Sequence, residues 1–369
     1  MSTFDKFKLK TNPFRLTPAI NSEELIWAGF PEVKRKIENR IKRSIQIPNS
    51  SLILNWGEYG SGKTHAARYF NKTNVLRELS ENNPLPFSLD IGFPKSKQPV
   101  WDIYTQIVDK INITELREQL ANKGVKVADV VNSITDNIFI SNVLKLMFDD
   151  TVDATLFKGF LYKTTFKDAD LKNYAKDGVQ RMLSTDNDYT EFLAALFSLI
   201  TYQKKAYSCV ILWIDEFEDI SILSSVNISI VNNFLRTIID KTPNNLLMFL
   251  NLTQSAMMDL ADLSEYLQEA VKNRIKERID LNMPKTTDLK MYLKELLNNP
   301  INRDNQLDNY FPFDEQVIDK LIEDLGPVSL RRFNEAFSSL LEDAAFKNRD
   351  NIDVAYYESI KNEEIIGWK

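Results

Sequence analysis

The run Gly57-Glu58-Tyr59-Gly60-Ser61-Gly62-Lys63-Thr64 follows directly on an apolar stretch that opens with Leu52-Ile53-Leu54. It has the spacing G-x-x-x-x-G-K-[ST], and it predicts a strand, a tight turn and a helix wrapped around a phosphate. Glycines suit such a turn because a backbone that cups an anion needs positive φ angles and close approach, which a Cβ resists. The helix starting near Gly62 presents its free N–H groups and positive dipole end to the phosphates. On this reading Gly57 to His65 contact a nucleoside triphosphate, ATP. Lys63 reaches its β- and γ-phosphates, and the Thr64 hydroxyl holds Mg²⁺. His65 lies one residue past the motif, where packing or solvent exposure suits it better than chemistry.

A second signal is Cys209-Val210-Ile211-Leu212-Trp213-Ile214, a near-continuous apolar run of the kind that forms a strand buried on both faces. It ends in Asp215-Glu216. An acidic pair at the carboxyl end of such a strand suits phosphoanhydride hydrolysis, with Asp215 on the metal and Glu216 as the base that polarises the attacking water. Phe217-Glu218-Asp219 continues the acidic turn, and Glu218 replaces Glu216 as base only if the strand ends later. A third run, Leu246 to Thr253, also ends in polar side chains. Either Asn251 or Thr253 contacts the γ-phosphate or attacking water, or caps the next helix.

Further along, Arg274 closes a helix just before a short final strand that ends near Leu281. At the sheet edge it is placed to meet a neighbouring subunit's nucleotide, or else to pair with Glu269 or Glu277. From Asp288 onward the pattern is helical, with three apolar stripes forming a small bundle. Arg331 and Arg332 occupy the first turn of the helix that Ser329 caps, where cations oppose the helix dipole and favour a nearby anion.

The 369 residues are 43% hydrophobic and 27% charged, enough for a large core and more than one domain. The predicted fold class is α/β: a P-loop NTPase with a five-stranded parallel sheet, a helical insertion and a C-terminal helical lid. The boundaries read from the pattern are an arm over 1–30, a nucleotide-binding domain over 31–284 with its insertion over about 101–205, and the lid over 285–369. The arm contains Asn12-Pro13-Phe14. The helix from Pro31 carries Val33, Ile37, Ile41 and Ile45 on one face. Lys34, Arg35, Lys36, Arg40, Lys42 and Arg43 line the other, a solvated surface or a phosphate-backbone contact. Within the insertion, Asp168-Ala169-Asp170 and Ser184 to Asp188 read as caps and turns, lacking the glycine and terminal glutamate of a calcium loop. One cysteine, Cys209, and one histidine exclude an internal disulfide and a His/Cys metal cluster. The net charge of −6 argues against a chain that coats nucleic acid with its whole surface. No long apolar run or leader is evident, so a cytoplasmic protein without membrane contact is expected.

The succession of phosphate loop, Asp-Glu strand end, polar strand end, arginine before the last strand and lid arginine resembles the AAA+ ATPases. Within them it is most similar to the initiator-like and transposition-regulator-like (Orc/Cdc6-type) branch, which shares the Asn-Pro-Phe arm, the Arg-Ile pair and a lid Gly followed by Arg. More loosely, the insertion and Trp213 to Asp219 resemble ATPases of bacterial phage-defence islands such as the BREX systems. The resemblance implies Walker A at Lys63 and Thr64, Walker B at Asp215 and Glu216, sensor 1 at Asn251 or Thr253, an arginine finger at Arg274 and sensor 2 at Arg331. It also implies an oligomerising ATPase acting on DNA or a DNA-processing partner. Leu330 replaces the proline often found before the sensor 2 arginine, which leaves Arg332 as the alternative to Arg331. The 24 residues after Ala345 are too few for the winged-helix domain that initiators usually add, so DNA contact is expected from the ATPase body, the insertion or a partner.

Overall fold

The computed structural model describes residues 3–17, 24–162, 174, 177–254, 260–305 and 307–365. Five strands, β1 (Ser50–Glu58), β2 (Phe87–Gly92), β3 (Val210–Asp215), β4 (Leu246–Gln254) and β5 (Ile275–Leu281), form one sheet in the order β2-β3-β4-β1-β5. β2, β3 and β4 run parallel, with Asp90, Trp213 and Phe249 in one register row. β1 follows β4 the same way: Asn245 N–H donates to the Asn49 carbonyl and, six residues on, Asn55 meets Asn251. This is the five-stranded parallel sheet the sequence predicts.

β3 lies inside the sheet between β2 and β4, and its apolar run is buried throughout. Trp213 stacks on Phe249 of β4 with ring centroids 3.8 Å apart and planes within 9°. A parallel sheet places the carboxyl ends of these strands along one side, where Asp215 and Asn251 fall. Between 93 and 209 the described residues contain no strand, only helices such as Pro99–Lys110, Ile113–Asn122, Ile138–Met147 and Asp186–Ile200.

The chain divides into two compact units. The first comprises Met1–Lys36, Trp56–Lys72 and Asp280–Lys369. Its core joins Phe7, Leu9 and Phe14 to helices Thr286–Leu297, Glu315–Leu325 and Leu330–Phe346. Phe14 lies 5.5 Å from the Phe337 ring and 6.0 Å from Phe313, while Asn12 Nδ2 donates to Glu342 at 2.7 Å and to Ser338 at 2.8 Å. The Asn-Pro-Phe segment therefore anchors the arm on these helices. The sequence reading of three helices omits a fourth, Val354–Ile360, which adds Tyr356, Tyr357 and Ile360 to the same core. Two turns of helix carry too few apolar repeats to register as a stripe.

The second unit comprises Ile37–Asn55 and Thr73–Ile279. There the acidic run Ser184 to Asp188 is a helix cap, as its sequence suggests. The Thr185 hydroxyl accepts from the Asp188 N–H and the Asp188 carboxylate accepts from the Thr185 N–H. Burial pushes the Asp188 carboxyl up, but Arg181 and the Ser184 and Thr185 N–H groups outweigh it and hold the group at about 2. Asp168-Ala169-Asp170 lies outside the described residues. Among the described residues no helix is long and apolar enough to cross a membrane.

Candidate nucleotide site

In the first unit, each glycine of the loop has its own reason to be glycine. A Cβ on Gly57 would stand 2.5 Å from the Leu281 carbonyl oxygen and 2.7 Å from Ser61 Oγ. On Gly60, at φ +78°, it would stand 2.7 Å from Arg331 Cβ. Gly62, at φ +97°, occupies the N-cap of helix Lys63–Phe70 and has no side chain to fold over the first N–H groups. At Gly57 and Gly60 the cradle thus closes to dimensions that only hydrogen fits.

Lys63 lies in this loop, 6% exposed. Its Nζ donates to the Gly57 carbonyl at 2.9 Å, the Glu58 carbonyl at 2.8 Å and Ser61 Oγ at 3.3 Å. Thr64 follows in the first turn, half-buried. A glycine-walled turn with a buried ammonium and an open helix end has the chemistry to take a polyphosphate. His65 turns elsewhere: its Nε2 meets the Ile26 carbonyl at 2.7 Å, and its ring lies between Trp27 and Tyr69. Burial, chiefly, lowers its pKa.

The two lid arginines separate clearly. Arg331 N–H donates to the Gly60 carbonyl at 3.3 Å, and its guanidinium covers the Tyr59 ring at 5.1 Å and donates to the Tyr59 hydroxyl. Arg332 donates instead to the Ile365 carbonyl at 2.9 Å and pairs with Glu335 at 3.4 Å. Arg331 sits on the phosphate loop; Arg332 braces the chain end.

In the second unit, β3 ends at Asp215. Asn251 is fully buried, and its Nδ2 donates to Asp215 Oδ1 at 3.3 Å. Its own Oδ1 accepts from Asn55 Nδ2 at 2.9 Å. Asn55 is a site residue that the sequence reading missed. Its one signal is an amide inside the otherwise apolar Leu52 to Trp56. Thr253 plays a different part, since its N–H donates to the Glu218 carboxylate at 2.9 Å and turns Glu218 onto β4.

Glu216 follows Asp215 in the left-handed region, at φ 57° and ψ 38°, a conformation that costs a non-glycine residue about 1 kcal/mol. That reversal ends the strand and exposes the Glu216 carboxylate. Lys95, just past β2, holds it at 2.7 Å and Asp219 at 3.0 Å, and these two partners raise the lysine's pKa. Arg274 lies between helix Glu269–Lys272 and β5. It pairs with neither Glu269 nor Glu277; its Nη2 reaches both Asp240 carboxylate oxygens, at 2.6 and 2.7 Å, and its Nε reaches Oδ1 at 2.9 Å. Glu269 is taken by Lys272 and Glu277 by Arg40.

No protein-family model and no curated protein matches this chain. Solved structures do. The chain is similar to the Aeropyrum pernix ORC2 protein in its ADP form, with a TM-score of 0.55 at 14% identity over 98% of this chain and 74% of that one. The same protein in ADPNP-ADP complexes gives a TM-score of 0.53 at 15% identity, over the same shares of both chains. The Aeropyrum pernix ORC1 protein in complex with DNA gives 0.50 at 13% identity over 96% of this chain and 70% of that one. The chain shares the fold of these ORC proteins, in keeping with the resemblance drawn from the order of its motifs.

Proposed function

We propose that this chain is an ATPase that binds Mg²⁺ and ATP on Gly57 to Thr64 and couples hydrolysis to assembly on DNA or on a DNA-processing partner. The observation that carries the reading is the glycine-walled loop holding the buried Lys63, with Arg331 seated on its Gly60 and Tyr59. The ADP and ADPNP forms of the similar ORC2 protein support the choice of nucleotide.

Each residue takes a role from its chemistry. Lys63 and Arg331 neutralise phosphate oxygens, and Gly62 to Thr64 offer backbone N–H donors. The Thr64 hydroxyl and Asp215 carboxylate supply hard oxygen ligands for Mg²⁺, which would offset charge on the phosphates. Glu216 accepts the proton of the water that attacks the γ-phosphorus as the bond to the β-bridging oxygen breaks, and Asn251 donates to the oxygens on which charge develops. Arg274 acts on a neighbouring subunit's nucleotide once it leaves Asp240.

Association with DNA is supported by the similar ORC1 structure and by a cavity of about 320 Å³ in the second unit. Arg40, Arg43 and Lys276 line it, with Ser44, Asn49 and Ser51. Glu277 neutralises Arg40, whereas Arg43 and Lys276 have no acidic partner among the described residues. Two unpaired cations around a hydroxyl-lined hollow suit a phosphate backbone. The phage-defence setting rests on the likeness of the helical insertion and of Trp213 to Asp219.

A second reading, a slowly hydrolysing switch that recruits partner proteins, is favoured by one observation. Glu216 and Arg274, base and finger, are both engaged in ion pairs within the chain. Phosphate release measured against protein concentration, with and without duplex DNA, tests both. The assembling ATPase predicts turnover per chain that rises with concentration and is lost in Arg274→Ala. Slow turnover independent of concentration, DNA and Arg274 supports the switch.

A further inference from the structure

Three side chains on neighbouring strands, Asp215 of β3, Asn251 of β4 and Asn55 of β1, form a line of hydrogen bonds whose polarity is dictated from one end. A carboxylate only accepts, so Asn251 must turn its Nδ2 to Asp215. That leaves Asn251 Oδ1 facing Asn55, which must in turn present its own Nδ2. Both asparagines are fully buried, and Asn55 Oδ1 is left without a hydrogen-bond partner. An apolar residue at position 55 would remove that orphaned oxygen, but it would also take from the buried Asn251 Oδ1 the donor that holds it. A buried amide kept with one half unsatisfied, where the strand is otherwise apolar, calls for a role beyond packing.

We propose that Asn55 is a positioning residue that sets the orientation of the Asn251 amide, and so keeps its N–H donors toward Asp215 and the reacting phosphate. This rests on the ATPase reading above. Rotated end for end, Asn251 would set its oxygen against the Asp215 carboxylate and offer phosphate oxygens an acceptor. Asn55 opposes that state: its Nδ2 accepts nothing, so it would have to turn over as well and orphan its buried Nδ2 in place of its Oδ1. It acts through Asn251, not by touching the nucleotide.

Asn55→Leu removes the donor and the unsatisfied acceptor together while keeping a similar volume; Asn55→Asp keeps the shape but replaces the donor with an acceptor. Steady-state ATP turnover, nucleotide affinity and thermal melting are measured for each variant, alone and combined with Asn251→Ala. The expected result is a fall of about tenfold or more in kcat for either single variant, with KM and nucleotide affinity within about twofold. In the Asn251→Ala background the same change shifts kcat by less than about twofold. Should Asn55→Leu fail to fold, Asn55→Asp carries the comparison. An unchanged kcat in the single variant overturns the inference, as does an equal fall in both backgrounds accompanied by lower melting temperature, which marks a packing residue. A wild-type chain with no turnover at all overturns the ATPase reading instead.

Discussion

Lys95 holds the Glu216 carboxylate at 2.7 Å from a loop 121 residues away in sequence, and the same ammonium reaches Asp219 at 3.0 Å. The carboxylate assigned as base is therefore engaged in an ion pair that it must leave, or share, to accept a proton from water. Both side chains are more than half exposed, so the pair contributes under about 1 kcal/mol. We expect Lys95→Ala to raise basal kcat, by at most about fivefold. A phosphate-release assay in which kcat is unchanged or reduced would show that Lys95 does not restrain Glu216.

Arg331 and Arg332 are adjacent but serve different neighbours. A charged hydrogen bond contributes about 1.5–3 kcal/mol, so Arg331→Ala is expected to weaken ATP binding by roughly tenfold to a hundredfold. Arg332→Ala, which loses only Ile365 and Glu335, should change affinity by less than about twofold. Titration with a fluorescent ATP analogue reads both, and the reverse ranking would move the lid's phosphate contact to Arg332.

His65 is the chain's one histidine, which isolates its titration near neutral pH. Burial lowers its pKa from 6.5, so below that value the unfolded chain binds a proton that the folded chain resists. Its contribution is fully present above pH 6.5 and declines as pH falls through and below that value. Urea denaturation at pH 7.5 and 5.5 should show a loss of at most about 1.4 kcal/mol, absent in His65→Gln. Equal losses in both proteins would assign the effect elsewhere.

The hollow lined by Arg43 and Lys276 makes a prediction about salt. Each phosphate contact adds about one counterion to the salt dependence of binding. Arg43→Ala with Lys276→Ala should weaken binding of duplex DNA and flatten the log–log salt slope by about 2. An anisotropy titration with the slope unaltered would place any DNA contact outside this cavity.

What the sequence reveals follows from distance along the chain. The phosphate loop is legible because its glycines, lysine and threonine are contiguous, and β3 and β4 because a strand buried on both faces has to be an unbroken apolar run. The Asn251 and Asp215 pair is half legible: each is a polar end on such a run, but their bond spans 36 residues. Asn55 escapes because its partner lies 196 residues away and a single amide leaves no pattern. Lys95 escapes for the same reason, since its partner Glu216 lies 121 residues away. Arg331 and Arg332 share one helical turn, and only the Gly60 and Tyr59 contacts tell them apart. Arg274 shows the converse: its neighbours in sequence suggest Glu269 or Glu277, while folding brings it Asp240.

The most direct test of the account is Glu216→Gln, assayed for ATP affinity and phosphate release on the same preparation. Glutamine keeps the size of the side chain and removes its capacity to take a proton. The account predicts ATP affinity within about threefold of wild type and turnover reduced by roughly a hundredfold or more. Turnover near the wild-type rate with binding intact would contradict it and remove Glu216 as the base.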